Sequence, residues 1–215
     1  MLQLNAQTDW PNLHRYEAAN AALPAPASNE KRVVFMGNSI TEGWINTDSL
    51  FFKDNRYINR GISGQTTSQM LIRFRPDVIN LKPTAVVILA GINDIAENTG
   101  PIALKDIAGN IFSMVELAKA HKIKVLVCSV LPANRFNWRK EIQPAEKVIE
   151  LNKLLKEYCS KNKISFIDYY NSMVDTAKGL DSKYGDDGVH PNATGYALMK
   201  SILQPILKKT IFRVR

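Results

Sequence analysis

The chain has 215 residues, a hydrophobic content of 45% and a formal net charge of +8, enough for a domain with a substantial core. No apolar run is long enough to span a bilayer, and neither a P-loop nor a Gly-x-Gly-x-x-Gly fingerprint is present. Half of the excess charge sits at Lys208, Lys209, Arg213 and Arg215. With no nucleic-acid motif beside it, this charge reads as a solvated surface rather than a nucleic-acid or membrane partner.

Met1 to Gln7 carry no basic start and no full apolar stretch. They fit the end of a trimmed signal peptide cut after Ala6, which would mean export; a cytoplasmic location is the alternative. Leu13, Tyr16, Ala19 and Leu23 recur at helical spacing, so a short helix packing onto the main domain is expected over Trp10 to Leu23, closed by Pro24 and Pro26. Residues 1–30 thus read as a helix and linker ahead of a main domain at 31–215.

The main domain opens on Val33-Val34-Phe35-Met36, an apolar run that stops at Gly37 and delivers Ser39 to a helix start. Tyr57 to Gly61 reads as a second strand and Thr66 to Ile79 as a helix. Thr84 to Ala90 is a buried strand that again stops at a glycine, Gly91. A helical stripe through Ile107, Ile111, Met114 and Ala118 precedes a fourth strand, Ile123 to Val130. A loop over 131–143 holds Arg135, Phe136 and Trp138. Pro144 suits the first turn of the next helix. Ile164 to Ile167 is the last strand, and a final helix starts near Asn192.

Strands alternating with helices imply an α/β three-layer αβα sandwich around a five-stranded parallel sheet. Cys128 and Cys159 are too far apart in sequence for a zinc pattern and read as buried free thiols.

Three strand ends and one late turn carry chemistry. Ser39 sits where open α/β sheets bind ligands, although a serine there also serves as a helix cap. Asp187-Gly188-Val189-His190-Pro191 places a carboxylate and an imidazole three residues apart, as a serine nucleophile requires of its base and the base's orienter. The same residue types also make an ordinary turn. Gly61 and Asn93 follow the second and third strands; with the Ser39 N–H they can form an oxyanion hole. Arg135, Phe136 and Trp138 lie on the ligand side of the sheet, where they line a substrate pocket or pack on the surface. Asp94 reads as steadying its own turn, and His14 and His121 as surface or packing residues rather than ligands. With one histidine in this constellation, no metal ion is expected.

The chain resembles the SGNH (GDSL-type) hydrolases, named for a Ser, Gly, Asn and His in four separated blocks. The matching residues are Gly37-Asn38-Ser39-Ile40-Thr41, Gly61, Gly91-Ile92-Asn93-Asp94 and Asp187-Gly188-Val189-His190-Pro191. The resemblance runs from about residue 31 to 208, most of the chain. Asn38 stands where the family often has Asp, and Ile40 where it has Leu. The resemblance implies a flavodoxin-like sheet and no cofactor. It also implies Ser39 as nucleophile, His190 as base, Asp187 as its orienter, and Ser39, Gly61 and Asn93 as oxyanion donors.

The expected activity is hydrolysis of carboxylic esters through an acyl-serine. By resemblance the acyl group is short, in the manner of acetylhydrolases that act on small esters including sugar acetates. A thioesterase or lysophospholipase with the same triad, and a catalytically silent carbohydrate-binding module, are the alternatives. Oligomeric state is open.

Overall fold

A computed structural model describes residues 9–212. The expected signal remnant at 1–6, together with Arg213 and Arg215, falls outside the described residues. In chain order the elements are a 3-10 turn (Leu13–Tyr16), α1 (Glu17–Ala21), β1 (Val33–Gly37), α2 (Ser39–Thr47), α3 (Ser49–Asn55), β2 (Tyr57–Gly61) and α4 (Thr67–Asp77). A second 3-10 turn (Ile79–Leu81) leads to β3 (Ala85–Leu89), α5 (Ile92–Ile95), α6 (Leu104–Ala120), β4 (Lys124–Cys128) and α7 (Ala145–Lys161). The chain closes with β5 (Ser165–Ile167), α8 (Tyr170–Met173) and α9 (Ala193–Phe212).

All strand pairings are parallel, in the order β2-β1-β3-β4-β5. β1 and β3 are buried along their whole length, which accounts for their unbroken apolar runs. Helices α4, α6 and α7 pack side by side, while α2 packs against both α3 and α9. From β1 the chain moves outward to β2, then returns past β1 to β3. The strand order therefore reverses between β1 and β3, and the crevice at their carboxyl ends is where such sheets bind ligands.

One expectation on element bounds needs correction. The helix expected over Trp10 to Leu23 is shorter, because Asn12 is left-handed (φ 56) and breaks the run. Asp9 instead caps the following turn, accepting from Leu13 N–H at 2.8 Å and His14 N–H at 3.0 Å. Helix α3 was not anticipated. Asp48 caps it, accepting from Phe51 N–H at 3.1 Å, and it buries Phe51 and Phe52.

Those two rings join Phe35, Trp44 and Tyr57 in an aromatic cluster beneath the α2 side of the sheet. Phe35 meets Trp44 and Phe51 edge-on at 5.9 Å, a favoured arrangement. Trp44 in turn stacks on Tyr196 at 5.6 Å, and the Tyr196 hydroxyl donates to Ile40 O at 2.9 Å. Helix α9 is thereby fastened to α2 one turn from Ser39. Cys128 and Cys159 are free, buried thiols; burial pushes them up to about 12 and about 11 respectively.

Candidate active site

The turn after β1 admits only glycine at position 37. A Cβ there would lie 2.0 Å from Thr41 Oγ1 and 2.8 Å from Leu89 O. The next residue, Asn38, caps α2, its Oδ1 accepting from Ile40 N–H at 3.0 Å. Ser39 is thus relieved of capping. Its hydroxyl lies 2.9 Å from His190 Nε2. The buried Asn38 Nδ2 has no partner among the described residues, so Asn in place of the family Asp leaves a donor unsatisfied beside the serine.

His190 Nδ1 is 2.7 Å from Asp187 Oδ2. The other Asp187 oxygen accepts from the backbone N–H groups of His190, at 2.7 Å, and Val189, at 2.8 Å. Partial burial raises the Asp187 pKa, but these bonds outweigh it and hold the carboxyl below its ordinary value. An ionised Asp187 keeps a proton on Nδ1 and leaves Nε2 free to accept from Ser39. Asp186 instead accepts from Asn192 Nδ2 at 3.3 Å. Asn192 Oδ1 caps α9 through Gly195 N–H at 3.0 Å, so the histidine turn is fixed at both ends.

Asn93 lies on α5, just past Gly91, whose φ of 120 opens that turn. Its side chain is buried, and one amide hydrogen goes to Gln65 O at 3.0 Å. That bond orients the amide and leaves its second hydrogen available.

Gly61 does not fit the donor role expected of it. Its N–H donates to Asn59 Oδ1 at 2.9 Å. The space a Cβ would need is taken by the Glu42 backbone N, 2.2 Å away. Glycine is required there for close packing of β2 on α2. Three residues later Gly64 is exposed, left-handed at φ 77 and open on its Cβ side, and its N–H has no acceptor among the described residues. It adjoins Ser63, which shares one hollow with Ser39.

Asp94 serves a different element from its own turn. Its carboxylate accepts from Thr67 N–H at 3.0 Å and Thr67 Oγ1 at 2.5 Å, holding the start of α4 beside Asn93. Burial pushes its pKa up to about 6. Because the folded value exceeds the unfolded one, the fold binds the proton more tightly and loses stability as pH rises from about 4 to about 6. The two-unit shift corresponds to about 3 kcal/mol. Asp94→Asn removes this dependence, so its stability relative to wild type should improve by about that amount between about pH 4 and about pH 7 in urea unfolding.

Arg73 was not anticipated as part of the site. It is fully buried on α4 and donates to four groups: Gln65 Oε1 at 2.5 Å, Asp77 Oδ2 at 2.9 Å, Gly37 O at 3.0 Å and Arg60 O at 2.9 Å. One guanidinium therefore ties the ends of β1 and β2 to the loop that contacts Asn93. Desolvation lowers its pKa and Asp77 opposes the shift.

In the loop after β4, Phe136 is buried (1% exposed) and cannot face a substrate, whereas Trp138 is 47% exposed. Arg135 is exposed and lies against Gly188. Asn137 Nδ2 donates to Asp187 O at 3.2 Å, which ties this loop to the histidine turn. His14 and His121 lie on the surface.

A family model for GDSL-like lipases and acylhydrolases matches residues 35–198, taking in all four blocks. The chain belongs to the GDSL-like lipase/acylhydrolase family. Membership places the described fold among the domains of an acylhydrolase family. A candidate acylhydrolase from Bacteroides fragilis NCTC 9343, solved by crystallography, is 56% identical, with a TM-score of 0.94 over 95% of this chain and 100% of its own. An acetylxylan esterase of Xylanibacter ruminicola is 26% identical over 87% of this chain. A Bacillus subtilis protein called a lipoprotein is 30% identical over 46% of this chain. The chain spans about half the length of these two curated relatives, 45% and 48% respectively. In this chain the serine and histidine of the matched region stand 151 positions apart and meet only in the fold.

Proposed function

We propose that this GDSL-like hydrolase cleaves carboxylic esters of short acyl groups through an acyl-serine formed on Ser39. The observation that carries the proposal is the unbroken chain from Ser39 Oγ through the His190 ring to Asp187. His190 takes the serine proton as the hydroxyl attacks the carbonyl, and Asp187 stabilises the imidazolium that results. The oxyanion is held by the N–H groups of Ser39, first in α2, and Gly64, together with the free Asn93 amide hydrogen. His190 then protonates the leaving alcohol and activates the water that releases the acid.

An acetyl ester on carbohydrate is the proposed substrate, supported by the relative called an acetylxylan esterase. Arg135, which lies against Gly188 of the histidine turn, and the exposed Trp138 of the same loop are the proposed contacts for the alcohol half. Export is proposed as well, on the relative called a lipoprotein.

Hydrolysis of p-nitrophenyl acetate and butyrate by wild type and Ser39→Ala, side by side, tests this. Activity should vanish with the hydroxyl; equal rates would reduce Ser39 to a turn residue. Asn93→Ala should lower kcat by roughly 10²–10³ while KM changes little. An unchanged kcat would remove Asn93 from the oxyanion hole.

A further inference from the structure

Beside Ser39 runs a trough of about 620 Å³ whose walls come from two distant parts of the chain. Helix α2 supplies Glu42, Ile45 and Asn46; the N-terminal segment, outside the matched family region, supplies Arg15, Ala19 and Leu23. The edge strand β2 forms the floor. A second hollow of about 490 Å³ shares Leu23, Ile45, Tyr57 and Ile58 with the first and extends it towards Pro24 and Phe52. Gly61 pairs with Gly37 at the Ser39 end of β2, so the trough descends from the serine along about 13 Å of strand.

Chemistry decides which half of an ester enters it. The leaving oxygen must receive its proton from His190 Nε2, so the alcohol lies on the histidine side of Ser39. Neither His190 nor Asp187 lines the trough. This trough, which Ser39 lines and His190 does not, is a side open to the acyl group.

The two walls are joined one helical turn below Ser39. Arg15 Nη2 meets Glu42 Oε1 at 3.0 Å, and Glu42 is also held by Ser63 N–H at 2.8 Å and Ser63 Oγ at 2.5 Å. Beyond this crossing the lining is mainly apolar, with Ala19, Leu23, Ile45 and Ile58 beside Asn46. The nearby Arg60 turns its charge to Asn20 Oδ1, 2.7 Å away. An alkyl chain passing the crossing would have to part or desolvate the ion pair.

We propose that the trough is the acyl site and that the Arg15–Glu42 pair is its length stop. A short acyl group fits above the pair, and the apolar hollow beneath is closed to longer chains until the pair is removed. This rests on the serine esterase proposed above. The pair is half exposed on the Arg15 side, so its loss leaves the fold in place.

The test compares kcat/KM for p-nitrophenyl acetate and octanoate in wild type, Arg15→Ala and Arg15→Ala/Ala19→Trp. Wild type should favour acetate. Arg15→Ala should raise the octanoate-to-acetate ratio about tenfold or more, and the added tryptophan, filling the trough, should cancel the gain. An unchanged ratio in an Arg15→Ala enzyme that still cleaves acetate would overturn the length stop alone, as would a wild type that takes octanoate as readily as acetate. A folded wild type that cleaves no ester would overturn the esterase proposal and this one with it.

Discussion

Replacing His190 by alanine should lower turnover of p-nitrophenyl acetate by about 10⁶-fold, and adding Ser39→Ala to that variant should cost almost nothing more. The reason is that the two groups act as one unit. The serine hydroxyl, 2.9 Å from Nε2, is a poor nucleophile without a base, and the base has no other proton to move. Asp187→Asn should cost less, about 10⁴-fold, because it leaves the ring in place but no longer demands a proton on Nδ1. The two backbone N–H groups that Asp187 accepts can still reach the Asn oxygen, so the turn should survive. Thermal unfolding near wild type, with kcat lost, separates this outcome from simple misfolding. If the single and double variants lose activity additively, Ser39 and His190 are not one catalytic unit.

Arg73→Met should give the largest loss of stability, about 3–5 kcal/mol in urea unfolding. It strips partners from Asp77, Gln65 and the carbonyls of Gly37 and Arg60 in a site without water access. The variant that remains folded should turn over about 10²-fold more slowly at similar KM. Gly37 leads to the nucleophile and Gln65 holds Asn93, and small displacements there misalign the reacting groups. Arg73→Lys keeps the charge but not the planar fork, and should fall between the two. Wild-type kcat in Arg73→Met would mean that the strand ends hold their own geometry.

The sheet was legible because its interior strands are buried on both faces and therefore written as plain apolar runs, as in Val33 to Met36 and Ala85 to Leu89. Ser39 stood out because it opens a helix directly after a buried strand, and Asp187 and His190 because they share one turn just ahead of the last helix, with residue types that nucleophilic chemistry needs. Gly61 and Gly64 could not be separated by sequence. Both are glycines after a strand, and only the position of the Asn59 side chain shows that one N–H is already taken. Arg73 and Asp77 stand four apart on a helix, the pattern of an exposed ion pair. Burial came from the carbonyls at the strand ends, which no local pattern encodes. For the N-terminal segment the apolar spacing pointed to packing on the main domain but not to its seat, where the Tyr16 hydroxyl reaches Gly61 O across 45 positions.

The central claim is that an acyl group is carried on Ser39. Mass spectrometry of enzyme quenched in acid during turnover of p-nitrophenyl butyrate, followed by peptide mapping, tests it most directly. A butyryl adduct on the peptide containing Ser39, absent from Ser39→Ala, is the expected result. An adduct on another residue, or hydrolysis that persists in Ser39→Ala, would contradict it.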